Sequence, residues 1–224
     1  DGKAGALSMK YIQKREPPQS LEEYKRTDGA SFADLDKNHT HIKRELKAHL
    51  IAEQGGLCCY CGDRITFDSA MIEHFLPKAE GLFPELQLEY SNLLSSCMGG
   101  QTERSKHEKY QNKTFPLSCD ARKKNRVIKI SPTDPECEKY FEFDDQGNIY
   151  GTDSDARYAI AVLGLDNKVQ VARRKAAIDA YTDLPEETDW QQEIEFLSTP
   201  NKDGLYEPYC FAVIYWILHF RLVQ

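Results

Sequence analysis

The sequence predicts an α+β fold in which a small zinc-knuckle core is embedded in a mostly helical body. The C-x-x-C motif of Cys58 and Cys61 and the downstream Cys97 and Cys119 supply the four thiolates of one structural zinc. Between these cysteines, short alternating and β-branched runs are typical of strands. Apolar residues at helical spacing precede the core and fill the C-terminal third of the chain, which indicates a helical surround.

The N-terminal part divides into two segments. Residues 1–8 precede Met9 and are expected to be a tag remnant. Residues 9–56 are predicted to form a strand and helices. The strand covers 9–15, and the helices cover 20–26 and 36–54, the second ending at a Gly-Gly pair.

Residues 57–130 are predicted to form the core, with two short strands over 64–75, a further element over 89–97 and a strand-like run at 127–130. Few large apolar residues occur in 98–118, which is therefore expected to be an inserted basic loop or frayed helix.

Residues 131–224 are predicted to form a hairpin around 140–149 followed by helices. The expected helices cover 155–163, 167–181, 190–197 and 209–223.

Charge is unevenly distributed in this 224-residue chain, whose net charge is −7. From Arg104 to Lys129, nine basic residues stand against two acidic ones, a local charge of +7 that leaves −14 for the remainder. An acidic body with one basic segment excludes a protein that grips nucleic acid over its whole surface. We expect local contact with nucleic acid, with a partner or second subunit supplying much of the affinity.

The apolar segments predict a protein outside the membrane. The longest, 209–223, is interrupted by His219 and Arg221 and is expected to be a buried helix. We find no secretory signal and expect a cytoplasmic location, where the seven cysteines stay reduced and available as metal ligands.

Several short motifs around the cysteines resemble one family of enzymes. They are 71–78 (MIEHFLPK), 90–94 (YSNLL), 119–123 (CDARK) and 130–137 (ISPTDPEC). Together they resemble the HNH (ββα-metal) endonucleases, over about residues 57–125, and within these the PtuB family. PtuB proteins are effectors of Septu-type and retron-linked anti-phage systems.

The resemblance implies a zinc-knuckle ββα-metal (HNH) core that hydrolyses phosphodiester bonds with activated water. His74 is the expected general base, because an imidazole titrates near neutral pH. Glu73 and Asp120 are the expected oxygen ligands of a catalytic Mg or Mn ion. Asn92 is expected to orient the loop that faces His74, and Lys123 to bind phosphate, with Arg122 and Lys124 beside it.

The resemblance also implies partners. These are a PtuA-type ATPase and, in the retron setting, a reverse transcriptase with its RNA–DNA hybrid. The chain would be the toxic effector of such a complex. The substrate is DNA by default, because the mechanism needs no ribose 2′-hydroxyl, and RNA such as tRNA remains open.

Four alternatives remain open from sequence. Because 21 residues separate Cys97 from Cys119, His107 or Cys137 could replace one zinc ligand. The chain could instead be a zinc-dependent nucleic-acid-binding or adaptor module without catalysis. A weaker alternative is a cysteine hydrolase that uses Cys59, for which no Cys-His spacing gives support.

Overall fold

A computed structural model describes residues 10–111 and 115–222, apart from the side chains of residues 107, 110 and 111. It has both helices and two small sheets, which confirms the α+β class predicted from the sequence. The helices are α1 (Gln19–Lys25), α2 (Phe32–Asn38), α3 (Thr40–Glu53), α4 (Gln101–Gln111), α5 (Cys119–Lys123), α6 (Ser154–Leu163), α7 (Lys168–Thr182), α8 (Trp190–Ser198) and α9 (Cys210–Phe220). The strands are β1 (Ala70–His74), β2 (Leu93–Cys97), β3 (Phe141–Phe143) and β4 (Ile149–Gly151).

Several predicted elements differ from those observed. The N-terminal strand does not form, since residues 10–18 have no regular structure; Ile12 instead donates one backbone hydrogen bond to Pro132. The strand-like run at 127–130 also lacks a ladder. Within 98–118, which was expected to be an inserted basic loop or a frayed helix, residues 101–111 form α4. The expected tag remnant, residues 1–8, lies outside the described residues.

The N-terminal helices pack on one end of the first sheet. Leu21, Leu46 and Leu50 are fully buried in a cluster that includes Leu93 of β2. A second tie is polar: the buried Glu53 carboxylate accepts hydrogen bonds from the Lys14 ammonium at 2.6 Å and the Tyr90 hydroxyl at 2.8 Å. The N-terminal segment and α3 therefore brace β2 from outside.

Strands β1 and β2 form an antiparallel pair whose register determines where the functional side chains lie. Ala70 pairs with Cys97 at one end, and His74 pairs with Leu93 at the other. Glu73 pairs with Leu94. The same two-stranded sheet thus carries a zinc-ligand candidate at one end and the Glu-His pair at the opposite end.

The C-terminal helices enclose the cysteine motif from the other side. Helix α9 is apolar around its whole circumference and is buried from Cys210 to Ile217, as expected for a core helix. The Phe211 ring lies against Gly62, where an added Cβ would stand 2.1 Å from the ring, so only glycine fits after the knuckle. Among the described residues, none of the helices has the length and apolar character needed to cross a lipid bilayer.

Candidate functional site

Four cysteines converge on one point at the zinc-ligand end of the first sheet. The sulfur atoms of Cys58, Cys61, Cys97 and Cys119 all lie within 4.8 Å of one another. The Cys58–Cys119 and Cys61–Cys97 sulfur pairs are each 3.8 Å apart. All four thiols are free, so the cluster is not a pair of disulfides.

The spacing of the sulfur atoms fits a tetrahedral zinc. With a Zn–S bond of about 2.3 Å, the edge of a regular tetrahedron is about 3.8 Å, the distance seen for both pairs. The Cys97 amide donates to the Cys58 sulfur at 3.2 Å, as a thiolate ligand requires. Four soft donors fill every position, so the site suits a structural zinc rather than one that binds water.

The long insert between Cys97 and Cys119 starts and finishes at the same place. The Ser118 amide donates to the Gly99 carbonyl at 2.9 Å. Gly99 has φ = 57°, and an added Cβ would lie 2.1 Å from the Ser118 carbonyl oxygen. This contact holds the last cysteine beside the third across the insert.

Of the two other ligand candidates, Cys137 takes no part in the cluster. Among the described residues, the cluster contains only the four cysteines, so neither Cys59 nor Cys137 belongs to it. Both are buried thiols, and burial raises the pKa of each. The side chain of His107 lies outside the described residues.

Helix α5 connects the cysteine cluster to the Glu-His pair. It begins at Cys119 and ends before Lys124, and both residues have left-handed backbones, with φ of 52° and 53°. Such conformations cost non-glycine residues about 1 kcal/mol or more each, so the surroundings must hold them in place. The five-residue helix directs Asp120 and Lys123 towards Glu73.

Glu73 is buried at the end of β1 in a polar cluster. Its Oε1 accepts a hydrogen bond from the Tyr60 hydroxyl and another from the Lys123 ammonium, each at 2.8 Å. The Asp120 carboxyl lies close enough to the same carboxyl group to interact with it electrostatically. Burial and the neighbouring Asp120 raise the pKa of Glu73 to about 8, although Lys123 opposes the rise.

The Lys123 side chain is buried, in contrast to the sequence prediction. We expected its ammonium to be exposed for phosphate, but the side chain is fully buried and donates to Glu73 and to the His74 carbonyl, the latter at 3.1 Å. A lysine is rarely buried without a partner, and here two acceptors replace its water shell. Arg122 and Lys124 are exposed, as expected for phosphate contacts.

The His74 ring is held in place through one of its two nitrogens. Its Nε2 lies 2.9 Å from the Gln87 carbonyl oxygen, and since that oxygen can only accept, Nε2 carries the proton. The Phe32 ring packs edge-on at 4.5 Å between centroids. Burial lowers the pKa of His74 to about 4, so the ring is neutral at pH 7 and the lone pair is on Nδ1.

Asn92 fixes the loop that opposes His74 without touching the imidazole. Its Oδ1 accepts from the Leu76 amide at 2.7 Å, and its Nδ2 donates to the carbonyls of Leu76 and Leu86 at 2.9 and 3.2 Å. Leu76 lies two residues after His74, and Leu86 precedes the Gln87 carbonyl that holds the ring. The orienting effect expected of Asn92 therefore passes through the backbone.

A small cleft opens at this end of the sheet. It has a volume of about 140 Å³ and is lined by the Glu73–His74 pair, Asp120, and the exposed Lys78 and Lys124. We call it the His74 cleft. Two carboxylates facing each other, one with a raised pKa, are a donor set that suits a hard divalent cation completed by water or phosphate oxygens.

Sequence reasoning missed three contributors to this site. Tyr60 lies inside the cysteine motif, and only the fold shows that its hydroxyl reaches Glu73. Gln87 contributes a backbone carbonyl, which leaves no side-chain signal. Lys78 follows the Glu-His pair in the quoted motif, and this position could have been assigned from the sequence.

No protein-family model matches the chain. It is 30% identical over 136 residues to a protein of Vibrio cholerae serotype O1 biovar El Tor named "Retron Vc95 putative HNH endonuclease", covering 59% of this chain and 60% of that protein. It is 31% identical over 157 residues to the Escherichia coli protein "Retron Ec83 putative HNH endonuclease", covering 61% of this chain and 59% of that protein. The chain spans about three fifths of the length of these curated relatives.

Proposed function

We propose that this protein is an HNH endonuclease that hydrolyses phosphodiester bonds of nucleic acid. The observation that carries the proposal is the neutral imidazole of His74, held through Nε2 by the Gln87 carbonyl beside two carboxylates in an open cleft. The names of both similar proteins support the same activity. In this proposal β1, β2 and α5 are the ββα-metal unit, and the four cysteines hold a structural zinc.

Several residues in and around the His74 cleft have a role in the proposed reaction. His74 Nδ1 accepts the proton of the attacking water, since Nε2 is already protonated. Asn92 holds the backbone on both sides of the imidazole. Lys78 and Lys124 contact phosphate oxygens, and buried Lys123 keeps Glu73 oriented rather than binding substrate.

Glu73 and Asp120 would hold the catalytic Mg or Mn ion. Such an ion supplies positive charge to the phosphate oxygens as negative charge develops in hydrolysis. The Tyr60 and Lys123 donors both use Oε1 of Glu73, so Oε2 is the oxygen that remains for a cation.

The biological setting is also proposed. The two similar proteins are named for retrons, so we infer that the chain is the toxic effector of a cytoplasmic anti-phage complex. A PtuA-type ATPase and a reverse transcriptase with its RNA–DNA hybrid are the partners implied by the sequence resemblance.

The test compares wild type with His74→Ala in the complex purified through a tag on this chain. Supercoiled plasmid and total tRNA are incubated with magnesium or manganese, and new ends are mapped. We expect His74→Ala to cut about 10²- to 10⁴-fold more slowly, the contribution of a general base, while its zinc content stays equal to wild type. DNA and RNA products distinguish the two substrates.

The matched control is His41→Ala, an exposed histidine on α3. It should cut at the wild-type rate. Nucleic-acid binding with no new ends in either substrate would support the alternative of a zinc-dependent binding or adaptor module.

A further inference from the structure

A second concave surface adjoins the His74 cleft. It has a volume of about 1,090 Å³ and lies between α4, α5 and the start of α7. Lys124 and Asn125 line both this surface and the His74 cleft, so the two are adjacent at these residues. We call it the basic groove.

The rim of the groove is positively charged. Among the described residues that line it, none is acidic and five are basic: Arg104, Arg122, Lys124, Arg126 and Lys168. One of them has an acidic neighbour, since the Arg104 Nε lies 3.1 Å from the Glu108 carboxylate one helical turn away. This partly exposed pair is screened by water and salt and competes only weakly with phosphate.

Two guanidinium groups of the rim are fixed in place by backbone carbonyls. Arg122 Nε donates to Ala161 at 3.1 Å, and Arg126 Nε donates to Lys123 at 3.1 Å. Arg126 Nη2 also donates to the carbonyls of Arg122 and Val162. Because a guanidinium has five N–H donors, Arg122 keeps both Nη groups and Arg126 keeps Nη1 for a phosphate. Holding them in advance reduces the side-chain entropy lost on binding.

The floor of the groove is apolar rather than charged. It consists of Phe115, Pro116, Leu117 and Ala121. The Phe115 ring packs over Gly100, where an added Cβ would lie 3.0 Å from the ring, so the ring rests on a rigid support. An aromatic floor with a basic rim is the combination that binds stacked bases and their phosphates together.

Duplex and single-stranded nucleic acid differ in what they can offer such a floor. A duplex presents phosphates and groove edges, and its base faces are covered by stacking. An unpaired strand exposes base faces that can lie on Phe115 and Pro116 while its phosphates reach the rim. We propose that the basic groove binds an unpaired nucleic-acid strand and leads it into the His74 cleft, an inference that rests on the proposed nuclease function.

The test measures binding separately from cleavage. The full chain with its zinc and the His74→Ala substitution is titrated, without added divalent ion, into fluorescein-labelled oligonucleotides of about 15 nucleotides. Single-stranded DNA, single-stranded RNA and a duplex of the same sequence are compared by fluorescence anisotropy. At least one single strand should bind about tenfold more tightly than the duplex.

Variants of the rim and floor locate the binding. Arg104→Ala with Lys168→Ala should weaken single-strand binding about tenfold and reduce the log–log salt slope by about 1.4, since each phosphate contact contributes about 0.7. The control, Lys129→Ala with Lys175→Ala, makes the same change in charge outside the groove and should leave affinity within about twofold. Phe115→Ala should lose about tenfold, and Phe115→Tyr should retain stacking and affinity.

Three results would overturn the inference: a duplex that binds as tightly as both single strands, equal weakening by the two double variants, or unchanged binding by a folded Phe115→Ala. Thermal melting shows whether each variant is folded. If Phe115→Ala is not folded, the comparison of the two double lysine and arginine variants tests the inference by itself. If the protein prefers single strands but never cleaves nucleic acid, the groove inference holds and the proposed nuclease function is wrong. If it cleaves nucleic acid but binds single strands and duplex equally, the nuclease function holds and the groove inference is wrong.

Discussion

The two ends of the β1–β2 sheet carry different kinds of side chain. They lie about 13 Å apart, because four residues separate them at a rise of about 3.3 Å per residue. At the Cys97 end, four sulfur atoms fill a closed tetrahedron. At the His74 end, two carboxylates and an imidazole line an open cleft. Soft sulfur donors that fill every coordination position of a metal make a rigid structural site. Hard oxygen donors that leave a position open for water or substrate suit a reactive site. Helix α5 joins the ends, because Cys119 belongs to one and Asp120 to the other.

The largest expected effect comes from breaking the sulfur end. Cys119→Ser should abolish stoichiometric zinc binding and the cooperative melting transition, because zinc affinity contributes directly to folding. Metal analysis and circular dichroism measure both. The neighbouring Cys59→Ala, outside the cluster, should retain one zinc per chain. If Cys119→Ser kept one zinc, another residue would have to be the fourth ligand.

The next effect tests whether the cleft end depends on its buried charge pair. Lys123→Met should lower the free energy of unfolding by about 3 kcal/mol, because it leaves the buried Glu73 carboxyl without its ammonium hydrogen-bond donor. Denaturant unfolding measures this change. The exposed Lys124→Met should change stability by less than about 0.5 kcal/mol, and the double variant Glu73→Gln with Lys123→Met should recover part of the loss. Equal effects of the two lysine substitutions would contradict the assignment.

The smallest expected effect is a pH dependence of stability that arises from His74 in the cleft. The pKa of His74 is about 4 in the folded protein and 6.5 unfolded, so its contribution to stability is present above 6.5 and is lost as pH falls. From about pH 7.5 to about pH 5, wild type should lose about 2 kcal/mol relative to His74→Gln. Parallel denaturant titrations measure the difference. A difference that stays constant with pH would mean that His74 is not buried as a neutral ring.

The sulfur end could be predicted from sequence far better than the cleft. Residue type and the C-x-x-C spacing predict Cys58, Cys61, Cys97 and Cys119 as ligands, with His107 or Cys137 as alternatives for one of them, because few side chains bind zinc. Lysine has no such restriction. Neither spacing nor composition indicates that Lys123 is buried while Arg122 and Lys124 are exposed, since this depends on how a five-residue helix packs against β1.

The secondary-structure predictions also differ in success between elements set by local sequence and elements that depend on distant partners. The C-terminal helices and the β3–β4 hairpin, which local periodicity determines, form near their predicted bounds. The N-terminal strand failed because an alternating run requires a partner strand. The backbone of residues 10–15 instead donates to the Pro132 carbonyl, from Ile12, and to the side chains of Glu138 and Glu53, from Tyr11 and Arg15. The backbone contribution of Gln87 to the cleft could not be read from any side chain.

The hydrogen bond between Ser118 and Gly99 has a consequence for how such chains can change length. Because the insert is closed at its base, the separation of Cys97 and Cys119 along the chain is independent of their separation in space. Residues can be added or removed beyond that closure, including those that form the Phe115 floor, while the metal geometry stays the same. Under the proposed role of the basic groove, substrate preference can therefore diversify in the insert without rebuilding the scaffold that positions His74.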